Sequence, residues 1–101
     1  MSNDSPQIVA IRARYKASFN EKKLLVDTYL ERLNNQSDDE SVLSELHGEL
    51  HKLAGSSGMY GYSDVSSLCR GIMQEITNEC FGEVMSDLTK LSQLISDYAK
   101  D

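Results

Sequence analysis

Two histidines, His47 and His51, stand four residues apart in a stretch that also contains three glycines, ELHGELHKLAGSSGMYGY. The leucine spacing of this stretch is that of a helix. A glycine in a helix interior costs about 1 kcal/mol relative to alanine, so Gly48, Gly55 and Gly58 together cost roughly 3 kcal/mol. A helix that carries this cost indicates that the small residues serve the histidines or a closely packed neighbour.

A helical wheel of about 100° per residue divides the stretch into three faces. The core face comprises Leu43, Leu46, Leu50, Leu53 and Ser57, the charged flank comprises Glu45, Glu49, Lys52 and Ser56, and the third sector comprises Ser44, His47, Gly48, His51, Ala54, Gly55 and Gly58. His51 lies at the centre of the third sector, with Gly48 three residues before it and Gly55 four residues after it. The imidazole is therefore expected to be exposed and uncrowded.

Three interpretations of this arrangement compete. The small residues could let another helix of the same protein pack closely, although the leucine face already supplies a core contact. His47 and His51 form an i, i+4 pair that could bind a metal ion, but the spacing is not HExxH and no further ligands follow at a useful distance. The third interpretation, a nucleophilic histidine presented to another protein, is favoured.

A nucleophilic role for His51 requires little else from this chain. Neutral imidazole attacks phosphorus well, and histidine side chains are readily neutral near pH 7. The sequence contains no glycine-rich nucleotide loop, no Walker lysine motif, no Ser-His-Asp arrangement and no carboxylate cluster for magnesium. If a partner supplies the electrophile and the metal, this chain need only offer an exposed, uncrowded imidazole, and no metal site is expected here.

The elements that position His51 are expected to be helices, because no segment alternates with period two over the length of a strand. We predict an all-α fold, an antiparallel up-down-up-down four-helix bundle with a short N-terminal helix, in a single domain of residues 1–101. The expected markers are Ser5 and Pro6 at the first helix start, an apolar face of Ile8, Ile11, Tyr15 and Phe19, a capping box of Ser18 and Glu21, a cap at Asp38 or Asp39, a helix end at Gly61, a start at Ser63 and Asp64, and a break from Asn78 to Gly82.

Composition and charge narrow the class of partner. The formal net charge is -6, which argues against a nucleic-acid or anionic-membrane surface. The first residues are polar and no apolar run reaches the length of a membrane span, so no signal peptide and no membrane contact are expected. Cys69 and Cys80 show no CxxC spacing and are interpreted as reduced thiols. We expect a cytoplasmic protein.

The segment from His51 to Gly61, HKLAGSSGMYG, resembles the signature of histidine-containing phosphotransfer (HPt) domains. The histidine, the aliphatic residue two positions on, the glycine at four, the small pair after it and the glycine at ten all match. The resemblance implies that His51 accepts a phosphoryl group from the aspartyl phosphate of one receiver domain and passes it to the aspartate of another. It also implies a carrier rather than an enzyme, with no autokinase activity.

The resemblance assigns supporting roles to neighbours of His51. Gly55 corresponds to the glycine that lets the receiver approach, and Ser56 occupies a position at which a small residue can assist. Lys52 could offset the charge of the phosphorylated ring or could be an ordinary exposed lysine. His47 and Gly48 complete the expected surroundings; His47 does not fit the motif, so it is interpreted as a neighbour that tunes the site or as a solvated side chain.

The sequence departs from the family pattern at two positions. Many members carry lysine three residues after the histidine, where this chain has Ala54. Many also carry a glutamine on the next helix that bonds to the ring; direct counting places Met73 there, and a shift of one residue would restore Gln74. Gln74 is therefore a weaker candidate for support of the phosphoryl site.

The resemblance also implies the partners. They are the receiver domains of a hybrid histidine kinase and of a response regulator, and the receiver is expected to carry the magnesium, so this chain needs no cofactor. Val9, Arg12 and Ala13 on the first helix are candidates for the rim of the docking surface, and a monomer is expected. The alternative is a helical adaptor that binds a receiver domain without phosphotransfer.

Overall fold

The computed structural model describes residues 5–100. Within that range the chain forms five helices and no strand, which confirms the all-α prediction. The helices are α1 (Pro6–Ala17), α2 (Phe19–Asn35), α3 (Glu40–Met59), α4 (Ser63–Thr77) and α5 (Phe81–Lys100). None of the helices of residues 5–100 combines the length and the hydropathy of a membrane span.

Most helix boundaries follow the local signals in the sequence. Ser5 accepts a hydrogen bond from the Ile8 backbone N–H at 3.2 Å, and Pro6 occupies the first position of α1, where its missing N–H is no loss. Asp39 caps α3 in the same way through the backbone N–H of Val42. Gly61 follows the end of α3 with a φ of +90°, a conformation that glycine adopts without steric cost.

The chain does break at Ser18, but the predicted capping box there is wrong. The Ser18 hydroxyl donates to the Tyr15 carbonyl of the preceding turn, so it makes no side-chain cap for α2. Ser18 has helical backbone angles, and only its carbonyl receives the first backbone hydrogen bonds of α2. The break is therefore a local kink between two helices rather than a new helix start with a side-chain cap.

The core lies between α2, α3, α4 and α5. Its fully buried large side chains are Phe19, Leu33, Leu46, Leu50, Ile72, Leu88, Leu91 and Ile95. The whole predicted core face of α3 is buried, including the hydroxyl of Ser57, which donates to the Leu53 carbonyl. Burial of these leucines fixes the rotation of α3 about its axis, and that rotation decides which side chains face solvent.

The predicted apolar face of α1 is only partly buried. No residue of α1 is buried, and Ile8 and Ile11 are 44% and 42% exposed. Only the end of this face is covered: the Tyr15 ring packs on Tyr60, with 4.6 Å between centroids, and Phe19 beyond the break is buried. The aromatic residues attach α1 at one end of the bundle and leave its first two turns in solvent.

Helices α3 and α4 approach closely through small residues. The Ser66 hydroxyl donates to the Ala54 carbonyl at 2.8 Å, and a Cβ atom at Gly58 would lie 3.2 Å from Ser66 Oγ. Near the opposite end of the pair, His47 of α3 and Ile76 of α4 line one groove. Contacts between these two helices therefore occur in reverse order along their sequences.

Candidate functional site

His51 lies near the middle of α3, on the face of the helix that points away from the core. Its side chain is exposed, whereas the adjacent Leu50 and the nearby Leu53 are buried in the core. The helix continues without a break for two turns on either side of the histidine. The imidazole is therefore presented to solvent from a rigid element whose orientation the core determines.

Two of the three glycines of α3 leave open space beside His51. A Cβ atom built at Gly48 or at Gly55 meets no atom within 4 Å, and both residues are exposed. Gly58 behaves differently, because a Cβ atom there would press on Ser66 of α4. Gly48 and Gly55, one before and one after His51 along the helix, thus make no packing contact within this chain, and a large partner could approach over them.

Ala54 and Gly58 correct the prediction of one open sector around His51. Ala54 is 4% exposed and lies under Ser66, and Gly58 allows the same close approach of α4. The interpretation that small residues let a helix pack closely therefore holds for these two positions. The open sector is narrower than expected, with Gly48 and Gly55 on one side of His51 and the contact with α4 on the other.

Lys52 and Ser56, predicted to support the phosphoryl group, lie on the other flank of α3. Lys52 is exposed and forms a loose ion pair with Glu49, with 3.5 Å between Nζ and the carboxylate oxygen. The Ser56 hydroxyl is 2.7 Å from the Tyr15 hydroxyl and also donates weakly to the Leu53 carbonyl. The side chain of Ser56 therefore joins α3 to α1.

His47 has surroundings unlike those of His51. It is half-buried in an open groove of about 400 Å³ that Leu43 and Ser44 of α3 share with Ile76 of α4 and Phe81 of α5. Among residues 5–100, no group of three or more His, Cys, Asp or Glu side chains is placed to hold a metal ion. The two histidines are thus one helical turn apart, and of the two only His51 has an exposed side chain with open space beside it.

Gln74, the other predicted neighbour of the ring, is exposed on α4. Its amide nitrogen donates to Asn78 Oδ1 at 3.3 Å, a hydrogen bond along its own helix rather than across to His51. Met73, one position earlier, is half-buried and packs against the core. A contact between Gln74 and His51 therefore stays a prediction that would require a different side-chain conformation.

The predicted rim residues of α1 lie at the end of the molecule where α3 stops. Val9, Arg12 and Ala13 are all exposed. A Cβ atom at Gly61 would lie 3.9 Å from Arg12 Nη2, which places this arginine beside the turn after α3. The side chains of α1 thus belong to the same end of the molecule as the last turn of α3.

An exposed apolar patch joins α1 to the last residue of α3. The α1–Met59 patch consists of Ile8, Ile11 and Met59, of which Met59 is 76% exposed, and Val9, 54% exposed, follows Ile8 on α1. Ile8, Ile11 and Met59 also line a groove with Arg12 and Tyr60. The sequence pattern indicated Val9 but not Met59, because Met59 lies outside the leucine face of α3 and no motif marks it as a surface contact.

The joint between α1 and the bundle rests on Tyr15, which was predicted only as part of an apolar face, and on Lys22, which the sequence pattern did not single out. Burial raises the pKa of the Tyr15 phenol, and burial likewise lowers the pKa of Lys22. The ammonium group of Lys22 lies 4.7 Å from the centre of the Tyr15 ring and donates to Ser18 Oγ at 2.8 Å. These contacts attach the end of α1 to α2, and the Tyr15–Ser56 pair attaches it to α3.

A model of a known protein family matches most of this chain. The family model described as the Hpt domain matches residues 25–99, a span that includes all of α3 with His51 and leaves α1 outside. Comparison with curated proteins and with solved structures gives no match.

Proposed function

Since the chain belongs to the Hpt domain family, whose members carry phosphoryl groups in phosphorelays, we propose that His51 is its phosphoryl acceptor. One observation carries this proposal: the exposed ring lies on a rigid helix between two glycines at which even a Cβ atom would meet nothing. A nucleophile that must reach phosphorus inside another protein requires such open ground. His47, half-buried in a groove, has no comparable access.

The proposed chemistry exchanges one bond to phosphorus for another. An unprotonated ring nitrogen of His51 attacks the phosphorus of an aspartyl phosphate on a receiver domain. The N–P bond forms while the P–O bond to the aspartate breaks, and the carboxylate leaves with the electron pair. The proton on the other ring nitrogen stays on the ring during the transfer and then equilibrates with water. In the onward step, an aspartate oxygen of a second receiver attacks and the imidazole leaves with the N–P electron pair.

The proposed route runs from the receiver domain of a hybrid histidine kinase to that of a response regulator. The receiver contributes its acidic pocket with a bound divalent metal, which neutralises charge during transfer, and this chain contributes the nucleophile. It is thus a carrier that neither binds ATP nor phosphorylates itself. The feature of this chain that supports a carrier role is the exposed imidazole of His51 on α3, with open space at Gly48 and Gly55.

We propose that a receiver domain docks on the α1–Met59 patch together with the exposed surface around His51, Gly48 and Gly55. Met59 follows His51 by eight residues, a rise of about 12 Å along α3. A standard interface buries about 800 Å² on each partner and can cover both. Val9, Arg12 and Ala13 would lie within or at the rim of this surface, where an apolar contact with polar edges suits a short-lived complex.

We also propose that α2 to α5 form an antiparallel up-down-up-down bundle in one domain, and that the protein acts as a cytoplasmic monomer. Connections of three or four residues join these helices. Connections this short favour neighbours that run in opposite directions. The reversed order of contacts between α3 and α4 supports the same arrangement.

The test of the proposed function is transfer of label from a phosphorylated receiver domain. The chain is incubated with a receiver carrying ³²P-aspartyl phosphate, and we expect label that is labile in acid and stable in base. His51→Gln should abolish labelling, whereas His47→Gln, the matched control on the same helix, should retain it. Persistence of label in the His51→Gln protein would show that the acceptor has been misassigned.

The adaptor alternative and the absence of kinase activity are tested in the same assay. An adaptor would bind the receiver, as measured by calorimetry, yet take up no label. Incubation with ATP and magnesium alone should leave the chain unlabelled. Labelling by ATP without a receiver would contradict the proposed role as a carrier.

A further inference from the structure

A phosphoryl group on His51 would place up to two negative charges on an exposed ring, and nearby cations would stabilise it through charge-assisted hydrogen bonds. We propose that Arg70 of α4 binds this phosphoryl group. The proposal deepens the function proposed above and rests on it for its biological meaning. It concerns a residue that the sequence pattern does not connect with His51, since nineteen positions separate the two.

The contacts between α3 and α4 place Arg70 level with His51. Ser66 touches both Ala54 and Gly58, so it lies opposite the middle of that interval, near Ser56. Moving back five residues to His51 covers about 7.5 Å of α3. Because the contacts run in reverse order, moving forward four residues from Ser66 to Arg70 covers about 6 Å in the same direction. The two positions therefore differ by only about 2 Å along the helix axes.

Both side chains lie on the solvent side of the line where α3 meets α4. On α4, Arg70 is about 40° from Ser66, on the side away from the buried Val65 and Ile72. On α3, His51 is about 60° from the buried Ala54, on the side away from the core leucines. An arginine side chain is long enough to cross from one flank of this line to the other.

Arg70 is also available for a new partner. Its side chain is exposed, and it makes no hydrogen bond or ion pair with another residue in the range 5–100. Lys52 lies about 100° around α3 from His51, on the flank of α3 that is turned away from α4. Its charge is partly offset by the ion pair with Glu49. Arg70 is the better-placed cation, and its planar guanidinium suits two phosphoryl oxygens at once.

The position of Ala54 explains why a cation from another helix is needed. Ala54 is 4% exposed, and the Ser66 hydroxyl of α4 donates a hydrogen bond to its backbone carbonyl. A long charged side chain there would have to push α4 away from α3. The close packing that Ala54 permits brings α4, and with it Arg70, within reach of the histidine.

The test uses chemical phosphorylation, so that it does not depend on any receiver. The full chain with His47→Gln, in which His51 is the only imidazole, is treated with potassium phosphoramidate. The pKa of the phosphoryl group on His51 is then measured by ³¹P NMR titration. Arg70→Ala should raise this pKa by about 0.5 or more, because loss of a nearby cation disfavours the dianion. Arg70→Lys should restore part of the difference.

Two controls separate a direct contact from a general effect of charge. Lys90→Ala removes one cation from α5, on another part of the surface, and should leave the phosphoryl pKa unchanged. Lys52→Ala should change it less than Arg70→Ala does. Circular dichroism should show the same helix content in the His47→Gln parent and in its Arg70, Lys52 and Lys90 variants, since these three side chains are exposed.

The outcomes distinguish this inference from the proposed function. An Arg70→Ala protein whose phosphoryl pKa equals that of the parent, or a larger effect from Lys52→Ala, would overturn the role of Arg70. The role of Arg70 would stand, and the proposed function would fall, if the NMR effect is present but no phosphorylated receiver transfers to the chain. Failure of phosphoramidate to label His51 would contradict the open ring on which both proposals depend.

Discussion

A carboxyl pair between α4 and α5 is expected to make the stability of this protein fall as pH rises toward neutrality. Burial, followed by the hydrogen bond and negative charge of Asp87, raises the pKa of Glu75 from 4.5 to about 7. The hydrogen bond from Glu75 is in turn the main cause that lowers the pKa of Asp87. One oxygen of Glu75 is buried and has no partner in the described range. The folded protein thus favours a protonated Glu75 that donates to an ionised Asp87.

The sign of the effect follows from proton binding. Between pH 4.5 and about 7 the folded state holds a proton on Glu75 that the unfolded state has lost, so the free energy of unfolding decreases with rising pH and levels off above about 7. The rise in pKa corresponds to about 3.4 kcal/mol at 1.36 kcal/mol for each pH unit. Because the side chain is partly solvated, we expect about 1–2 kcal/mol.

Replacing Glu75 with glutamine tests this reasoning, because the amide keeps a neutral donor for Asp87 at every pH. Urea denaturation followed by circular dichroism gives the free energy of unfolding from pH 4.5 to 8.5. Relative to Glu75→Gln, the parent protein should lose about 1–2 kcal/mol between pH 4.5 and 7.5. Glu31→Gln, an exposed change on α2, should follow the parent. Parallel curves for the parent and Glu75→Gln would refute a shared proton.

Two further predictions concern glycine packing and thiol exposure. Gly55→Leu should fold and gain up to about 1 kcal/mol in helix stability, yet slow phosphotransfer from a receiver at least tenfold. Gly58→Leu should instead destabilise the fold, because its side chain would crowd α4. Urea denaturation and transfer rates measure both effects, and normal transfer by a folded Gly55→Leu protein would contradict the open approach to His51. Cys80 should react with iodoacetamide in the native protein while Cys69 does not, because burial raises the pKa of Cys69 to about 12. Mass spectrometry measures the labelling of each thiol, with the urea-unfolded protein as the control. Equal labelling of both thiols in the native protein would contradict this prediction.

The parts of the fold that sequence predicts are those with local causes. Ser5 and Asp39 cap their helices through hydrogen bonds to residues three positions ahead, so the signal and its effect lie within one turn. The leucines of α3 recur with the helical period, which fixes the buried face and leaves His51 outside. Exposure of the histidine could therefore be predicted without knowledge of any other helix.

The parts that sequence misses depend on what lies opposite. Ile8 and Ile11 follow the helical period, but periodicity shows that a face is apolar and not that another element covers it. Gly55 and Gly58 are alike in sequence, yet one borders solvent and the other borders Ser66. The level of Arg70 with respect to His51 likewise depends on how two helices are aligned, which no short segment encodes.

The charge of α1 has a consequence at distances beyond contact. The helix carries Arg12, Arg14 and Lys16 with no acidic residue, whereas the whole chain has a net charge of -6. Such a separation gives the molecule an electric dipole whose positive pole lies at α1, beside the turn that follows α3. The electric field of an acidic partner exerts a torque on this dipole, so the molecule rotates toward a preferred orientation before the two proteins collide. Dissolved ions weaken that torque, and the fraction of encounters that begin in a productive orientation falls with ionic strength.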